Sequence, residues 1–213
     1  PVAHQHYLLK AGGIAPDGEA LELWPSDADD AAADQLLREA QIPPGAPIVG
    51  IHLGGSGRWV TKRWDLDRWA ALCDTLAAEG VQVVVTGHAS ERPMGDALLR
   101  LTHARPHVLI GRTRLMELAC LIKRCRVFIT GDSAPLHLAA AVGKPTLALF
   151  GPTDPQRHVP PAAHLRVLYK RVFCSPCYSP RCRTITHACM KRITVEEVTE
   201  AVQQLLHGEG SRV

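Results

Sequence analysis

Short apolar runs alternate with longer amphipathic stretches along most of this chain. The runs are rich in Val, Ile and Leu and show no polar alternation, which is typical of strands covered on both faces of a sheet. They predict strands at Ile48–Leu53, Val81–Thr86, His107–Ile110, Val127–Thr130, Thr146–Phe150 and Leu165–Leu168.

The stretches between the runs have helical periodicity and helix-start residues. They predict helices at Asp27–Ala40, Leu66–Glu79, Glu91–Thr102, Leu115–Arg124, Pro135–Val142 and Thr194–Leu206, with a short one between His4 and Leu9. Regular alternation of strand and helix predicts an α/β fold with a doubly wound parallel sheet and right-handed crossovers. We assign residues 1–44 to a lead-in and linker helix and 45–213 to one domain.

Composition limits the class of protein. The chain has 213 residues, 46% hydrophobic and 21% charged, which suits a globular domain with a core. The net charge of +3 is unevenly placed, since residues 157–192 contain eight Lys or Arg and no acidic residue. This basic tract could face a phosphorylated acceptor, an anionic membrane surface or water. Nucleic acid is disfavoured because the tract lacks interleaved aromatic residues.

The segment after the strand Val127–Thr130 has the chemistry of an anion site. Asp132 or Ser133 can cap the helix that follows, and Pro135 suits its first turn. The helix start directs backbone N–H groups and a positive dipole end towards the crevice beyond the strand ends. His137, one turn past Ser133, can reach the same crevice as Asp132. The alternative is an ordinary capped helix without a ligand.

Two other strand ends carry candidate groups. The loop Gly54–Gly57 permits close approach to a phosphate, and Lys62 offers a compact charge for a diphosphate. The alternative for Lys62 and Arg63 is a solvated surface pair. Glu91, after the second strand, can bind both hydroxyls of a ribose or simply favour the first turn of a helix.

These residues carry a resemblance to a known family. The segment Gly131–Pro155, read GDSAPLHLAAAVGKPTLALFGPTDP, resembles the signature of the glycosyltransferases that include the lipopolysaccharide heptosyltransferases. The similarity covers roughly residues 48–207 and includes the loop from His52 to Gly57 and the Lys62-Arg63-Trp64 motif. It implies a Rossmann-like fold, resembling the C-terminal domain of a two-domain GT-B glycosyltransferase. We expect the N-terminal acceptor domain to be absent from this chain.

The resemblance also implies a set of donor-binding residues. Lys62 aligns with a phosphate-binding lysine, Glu91 with a ribose-binding glutamate, and Thr113 with a position that contacts adenine. Ala134 stands where glycine is usual in the family, and its methyl group could narrow the pocket or disturb a positive φ. Lys62 and Asp132 are the expected catalytic residues. The full expected donor site comprises Gly57, Lys62, Glu91, Thr113, Asp132, Ser133, Ala134 and His137.

The implied reaction is an inverting transfer of a heptose or similar sugar from an ADP-sugar to a lipopolysaccharide inner-core acceptor. Lys62 and the helix start would stabilise the leaving diphosphate. The reaction is therefore expected to need no cofactor and no catalytic metal. The general base is expected in the missing domain, so we expect this chain alone to bind donor without transferring sugar.

The resemblance also implies a cytoplasmic location, with peripheral contact to the inner membrane. Alternatives are another nucleotide sugar or a stand-alone nucleotide-binding module. A hydrolase is disfavoured because no Gly-x-Ser-x-Gly elbow is present.

Seven cysteines divide into two groups. Cys73, Cys120 and Cys125 lie in apolar surroundings and are expected in the core. The other four follow a Cys-x2-Cys-x4-Cys-x6-Cys pattern in one short segment: Cys174, Cys177, Cys182 and Cys189. Four thiols at this spacing could hold structural zinc or an iron–sulfur cluster, pair as disulfides, or stay free.

Overall fold

The computed structural model describes residues 2–55 and 57–208 and contains one six-stranded, all-parallel sheet flanked by helices. The α/β, doubly wound fold expected from the apolar runs is therefore confirmed. The strands are β1 Ile48–His52, β2 Gln82–Thr86, β3 His107–Val108, β4 Val127–Gly131, β5 Thr146–Phe150 and β6 Leu165–Tyr169.

Six longer helices and one N-terminal helix occur where the periodicity predicts them. They are α1 Val2–Ala11, α2 Asp27–Glu39, α3 Leu66–Ala78, α4 Arg92–Leu101, α5 Leu115–Arg124, α6 Ala134–Ala141 and α9 Val195–Leu206. Two four-residue helices, α7 Pro155–His158 and α8 Ala188–Lys191, and two 3₁₀ turns, Val60–Lys62 and Ala89–Glu91, were not predicted. Elements this short leave no periodic signal in the sequence.

The sheet order is β3-β2-β1-β4-β5-β6. The chain first builds outward from β1 to β3 and then returns to the other side of β1 with β4. Strand ends diverge at this reversal, so the crevice beyond the carboxyl ends of β1 and β4 is where such sheets bind ligands. The glycine-rich loop follows β1 and Asp132 follows β4, which places both beside this crevice.

Helices cover the sheet on both faces, which explains why the strands lack polar alternation. One cluster, including Trp69, Leu72 and Val202, packs α3 and α9 against one face. Another, including Leu36 and Leu121, packs α2 and α5 against the opposite side. α2 begins with a capping box in which Ser26 and Asp29 exchange hydrogen bonds. Among the described residues, no helix has both the length and the apolar character needed to cross a membrane.

Candidate functional site

A cavity of about 780 Å³ lies at the reversal point of the sheet, a volume typical of ligand sites. All eight residues predicted for the donor site line it, together with others that the sequence did not single out. The lining comprises His52, Gly55, Gly57, Trp59, Lys62, Gly87, His88, Ser90, Glu91, Thr113, Arg114, Leu115, Leu118, Asp132, Ser133, Ala134, Pro135 and His137. Ser56, in the predicted phosphate loop, is outside the described residues. The structure thus brings the predicted residues together, and their individual roles stay predictions.

Lys62 ends the 3₁₀ turn Val60–Lys62 and points across the crevice. Its ammonium nitrogen lies 2.7 Å from Oδ2 of Asp132, and its side chain is only 19% exposed. The ammonium is also 4.9 Å from the ring centre of Trp59, close enough for a cation–π contact. The interpretation of Lys62 and Arg63 as a solvated surface pair is therefore wrong. A positive charge is held at the cavity by a carboxylate and an aromatic face.

The start of α6 differs from its prediction in one respect. Ser133 is at the N-cap position, but no side chain caps this helix in the described part of the chain, because the Ser133 hydroxyl pairs with Thr130 Oγ1 at 3.0 Å. Asp132 pairs with Lys62 instead of capping. The capping prediction for these two residues is therefore wrong. The absence of a side-chain cap at Ser133 favours ligand binding, because backbone N–H groups and the positive end of the α6 dipole stay available to the cavity.

Two details of the first turn of α6 are settled by its backbone. Pro135 lies within the first turn as predicted, where its missing N–H costs nothing. Ala134 is the first helical residue, so a methyl group there causes no positive-φ strain, contrary to one of the two effects expected of it. The methyl group can still narrow the cavity, which Ala134 lines.

Glu91 joins the loops that follow β1 and β2. One carboxylate oxygen accepts a hydrogen bond from the Gly55 N–H at 2.9 Å, and the other accepts from the His88 N–H at 2.7 Å. The residue is 5% exposed, and Arg63 lies 4.0 Å from it. Gly54 has no room for a side chain, because a Cβ there would overlap this carboxylate. Each oxygen has a second lone pair, so Glu91 can brace the loops and still accept from a ligand hydroxyl.

His52, the last residue of β1, is a cavity residue that sequence reasoning quoted only as part of a motif. The Thr86 hydroxyl donates to the Ile51 carbonyl at 3.1 Å and so must accept from His52 Nδ1–H, also 3.1 Å away. That leaves His52 Nε2 as a hydrogen-bond acceptor. Burial lowers the pKa of His52, with the Glu91 carboxylate opposing the shift. Its place at a strand end was the signal that could have identified it.

The remaining lining is partly aromatic and apolar. Leu115 and Leu118 give the β3 side of the cavity an apolar wall beside Thr113. His137 lies at the rim of the cavity. Partial desolvation by the surrounding protein lowers its pKa, the Asp132 carboxylate opposes this shift, and His158 adds to it. A site with a cation and an uncapped helix start on one side, and apolar and polar groups on the other, can bind an anion attached to a flat polar group.

The cysteines occupy two different environments in this structure. All seven are free, and Cys73, Cys120 and Cys125 are buried in the core as predicted. The other four line one cavity of about 260 Å³. Across residues 2–55 and 57–208, no group of three or more His, Cys, Asp or Glu is arranged to hold a metal ion. The zinc prediction for Cys174, Cys177, Cys182 and Cys189 is therefore unsupported.

A parallel sheet in this strand order, with a charged crevice at its reversal point, defines a doubly wound α/β protein. The family follows from comparison with known proteins. A model of glycosyltransferase family 9, the heptosyltransferase family, matches residues 10–186, and the chain belongs to that family.

Individual relatives agree with this assignment. Lipopolysaccharide heptosyltransferase 2 of Salmonella typhimurium is 28% identical over 88% of this chain and 55% of its own length. The structure of E. coli ADP-heptose lipopolysaccharide heptosyltransferase II is 26% identical, with a TM-score of 0.74 over 88% of this chain and 54% of that one. A family 9 glycosyltransferase from Veillonella parvula, at 24% identity, shares the fold with a TM-score of 0.82 over 95% of this chain and 58% of that one. The chain thus spans about half the length of the relatives it matches.

Proposed function

We propose that this chain is the donor-binding half of a glycosyltransferase that moves a heptose or similar sugar from an ADP-sugar to a lipopolysaccharide inner-core acceptor. The observation that carries the proposal is the cavity at the reversal point, where Lys62 and the uncapped start of α6 face one space. The names of the relatives support the substrates, since one solved structure is described as an ADP-heptose heptosyltransferase and another as a heptosyltransferase with ADP.

The diphosphate is best accommodated between Lys62 and the start of α6. An ammonium group and free helical N–H groups are both established partners of phosphate oxygens in proteins. The nucleoside would extend towards the carboxyl ends of β2 and β3, where Glu91 can accept from ribose hydroxyls and Thr113 lies beside the apolar wall of Leu115 and Leu118. Asp132 and His137 would then face the sugar.

The proposed reaction is an in-line displacement at the anomeric carbon. The acceptor oxygen forms the new bond, the bond to the β-phosphate oxygen breaks with its electron pair, and a base takes the acceptor proton. The charge that develops on the departing ADP falls at Lys62 and the α6 start, and one well-placed donor of this kind is worth roughly 3–4 kcal/mol. We expect the base to come from the part of the relatives' length that this chain does not span.

Calorimetric titration of the chain with ADP, UDP and GDP tests the proposal. We expect selective binding of ADP, weakened at least tenfold by Glu91→Gln, which keeps the size of the side chain but removes its charge. Far-UV circular dichroism and melting temperature serve as controls for the loop contacts of Glu91. Preference for UDP or GDP would favour the same fold with another nucleotide sugar.

A second result separates the enzyme from a stand-alone nucleotide-binding module. Binding of ADP-heptose more tightly than ADP would support a donor site, because a sugar pocket adds contacts only if it exists. Equal affinity for ADP and ADP-heptose would favour the module. Absence of binding to every nucleotide by the folded chain would contradict the proposed donor site.

Contact with an anionic membrane surface is a further part of the proposal. Phe173 and Ile185 are 92% and 91% exposed, which is unusual for large apolar side chains, and both lie in the basic tract. Arg171 and Arg192 line a shallow depression beside Phe173 and the neighbours of Ile185. Exposed apolar side chains among arginines suit the boundary between lipid headgroups and acyl chains.

Vesicle sedimentation tests this contact. Vesicles with phosphatidylglycerol should bind the chain more strongly than neutral ones, and the double variant Phe173→Ser/Ile185→Ser should lose roughly tenfold in affinity. The matched control is Trp24→Ser, which removes another exposed apolar residue outside the tract. Equal loss with the control, or equal binding to neutral vesicles, would contradict the membrane contact.

A further inference from the structure

We propose that the segment from Cys174 to Cys189, the cysteine segment, is a positioning element for Lys62 that acts through Thr61. This deepens the proposed function, because Lys62 is the cation assigned to the donor diphosphate. The positioning residues are Ser179 and His187, neither of which lines the donor cavity.

Thr61 is held by the cysteine segment from two sides. Its hydroxyl donates to the Ser179 carbonyl at 2.7 Å, and its own carbonyl accepts from His187 Nε2–H, also at 2.7 Å. Thr61 is 5% exposed, so water cannot easily replace either partner. Both the side chain and the backbone of this residue are thereby fixed.

The side chain of Lys62 is held by Asp132 and Trp59, but the backbone of the turn that carries it has few hydrogen bonds of its own. Its own backbone bonds are local, from the Lys62 N–H to Trp59 and from the Arg63 N–H to Val60. Val60 is 48% exposed and packs poorly. Because Lys62 directly follows Thr61, the two contacts of Thr61 determine where the lysine backbone starts and where its long side chain can reach.

The cysteine segment is itself firmly shaped. The Pro152 carbonyl, after β5, accepts from the N–H groups of both Cys177 and Tyr178, at 3.0 and 2.9 Å. Of the four non-glycine residues with positive φ in the described chain, three lie in this segment: Tyr178, Ile185 and His187. Such a conformation is unfavourable for these residue types and persists only where surrounding contacts impose it. At His187, one contact that supports this conformation is the hydrogen bond from its ring to the Thr61 carbonyl.

The geometry therefore forms a bridge between two parts of the molecule. At one end the cysteine segment is tied to the loop after β5, and at the other it holds Thr61. Thr61 also lines the 260 Å³ cavity together with the four thiols, so the turn packs directly on the segment. Ser179 and His187 thus position Lys62, the residue proposed to bind the donor diphosphate, although neither lines the donor cavity.

The test compares Thr61→Val with Thr61→Ser. Valine keeps the shape but removes the hydroxyl that binds Ser179, whereas serine keeps the hydroxyl. We expect valine to weaken ADP binding roughly 5-fold, the equivalent of one hydrogen bond, and serine to restore it. Adenosine, which lacks the diphosphate, should bind both variants and the parent chain alike. In a Lys62→Ala background, Thr61→Val should have no further effect on ADP affinity.

Lysine acetylation followed by mass spectrometry gives a readout that needs no nucleotide. Lys62 should be acetylated several-fold faster in Thr61→Val than in the parent chain or Thr61→Ser, with exposed Lys123 as the internal reference. His187→Leu should behave like Thr61→Val, and His187→Gln, which can still donate, should be milder. Unchanged acetylation of Lys62 in folded Thr61→Val and His187→Leu would overturn the positioning role. If the parent chain binds no ADP, the proposed function fails while acetylation still decides this inference.

Discussion

The ammonium group of Lys62 and the carboxylate of Asp132 form a 2.7 Å ion pair across the line where the two halves of the sheet meet. Lys62 follows β1 and Asp132 follows β4, so the pair spans the crevice that parallel sheets use for ligands. A diphosphate in that crevice would compete with Asp132 for the same cation.

Substitutions of Lys62 and of Asp132 should therefore have opposite effects on the affinity for ADP. Lys62→Ala should weaken binding by roughly 10- to 100-fold, since hydrogen bonds to charged groups contribute about 1.5–3 kcal/mol. Asp132→Asn should strengthen ADP binding roughly 5-fold, because it releases Lys62 and removes a nearby negative charge. Calorimetry on both variants checks this. An equal loss of affinity in both would indicate that Asp132 orients the lysine instead of competing for it.

Gly54 and Glu91 provide a second test, of the loop architecture. Alanine at Gly54 would force its Cβ onto the Glu91 carboxylate and disturb the bonds to Gly55 and His88. We expect Gly54→Ala to lower the free energy of unfolding by roughly 2 kcal/mol or more and the melting temperature by about 4–8 °C. Thermal denaturation followed by circular dichroism measures the change.

The matched control for this substitution is the adjacent glycine. Gly55→Ala introduces a Cβ with no atom within 4 Å and keeps the N–H that Glu91 accepts. Its effect on stability should stay within about 0.5 kcal/mol, as for ordinary open positions. Similar destabilisation by both alanines would mean that the backbone conformation of the loop, not the contact with Glu91, determines the need for glycine.

Local chemistry explains which parts of the molecule the sequence predicts. Leu115–Arg124 was predicted to the residue because an amphipathic period ends at consecutive basic residues. Thr146–Phe150 was predicted to the residue because Lys144-Pro145 precedes a β-branched residue and four apolar ones. Strand ends then located the cavity, since parallel strands bring their carboxyl ends to one edge. Each of these inferences uses residues close together in the chain.

What the sequence does not predict depends on partners far apart. The Lys62–Asp132 pair joins positions 70 residues apart, and the Glu91–Gly55 bond joins positions 36 apart. The Ser133 hydroxyl had two plausible partners, its own helix or Thr130, and only the packed structure chooses between them. Side-chain partners are set by tertiary geometry, which apolar periodicity does not encode.

The free energy of unfolding should depend on pH through the protonation of His52. Because burial lowers the folded-state pKa of His52 below 6.5, the unfolded chain binds more protons between the two pKa values. The stabilisation from a neutral, buried His52 is therefore present above about pH 6.5 and is lost as the pH falls through its folded-state pKa. Urea unfolding between pH 7.5 and 5 should show this decline.

His52→Asn isolates the contribution of that histidine. The Asn amide can still donate to Thr86 but does not titrate, so the decline in unfolding free energy with falling pH should become shallower. Some decline should remain, because burial also lowers the pKa values of His107 and His137. An unchanged slope in His52→Asn would show that His52 is not the titrating group.

The thiol of Cys182 should be the most reactive of the seven. A hydrogen bond with the Thr184 hydroxyl lowers the pKa of Cys182 below its usual 9.0, and backbone N–H groups of His187, Thr184 and Ile185 add to the effect. Since the thiolate is the nucleophile, iodoacetamide at pH 7 should label Cys182 before the others, as measured by peptide mass spectrometry.

Two comparisons tie this reactivity to the contacts of Cys182. Burial raises the pKa of Cys125 to about 12, so that core thiol should stay unlabelled until the protein unfolds. Thr184→Val removes the hydroxyl donor while keeping the shape, and should move the midpoint of the labelling rate to higher pH. Labelling of Cys174, Cys177 and Cys182 at one common rate, insensitive to Thr184→Val, would mean that exposure alone governs the reaction. A selective shift would instead establish that the Thr184 hydroxyl, in the cysteine segment that also holds Thr61, stabilises a thiolate there.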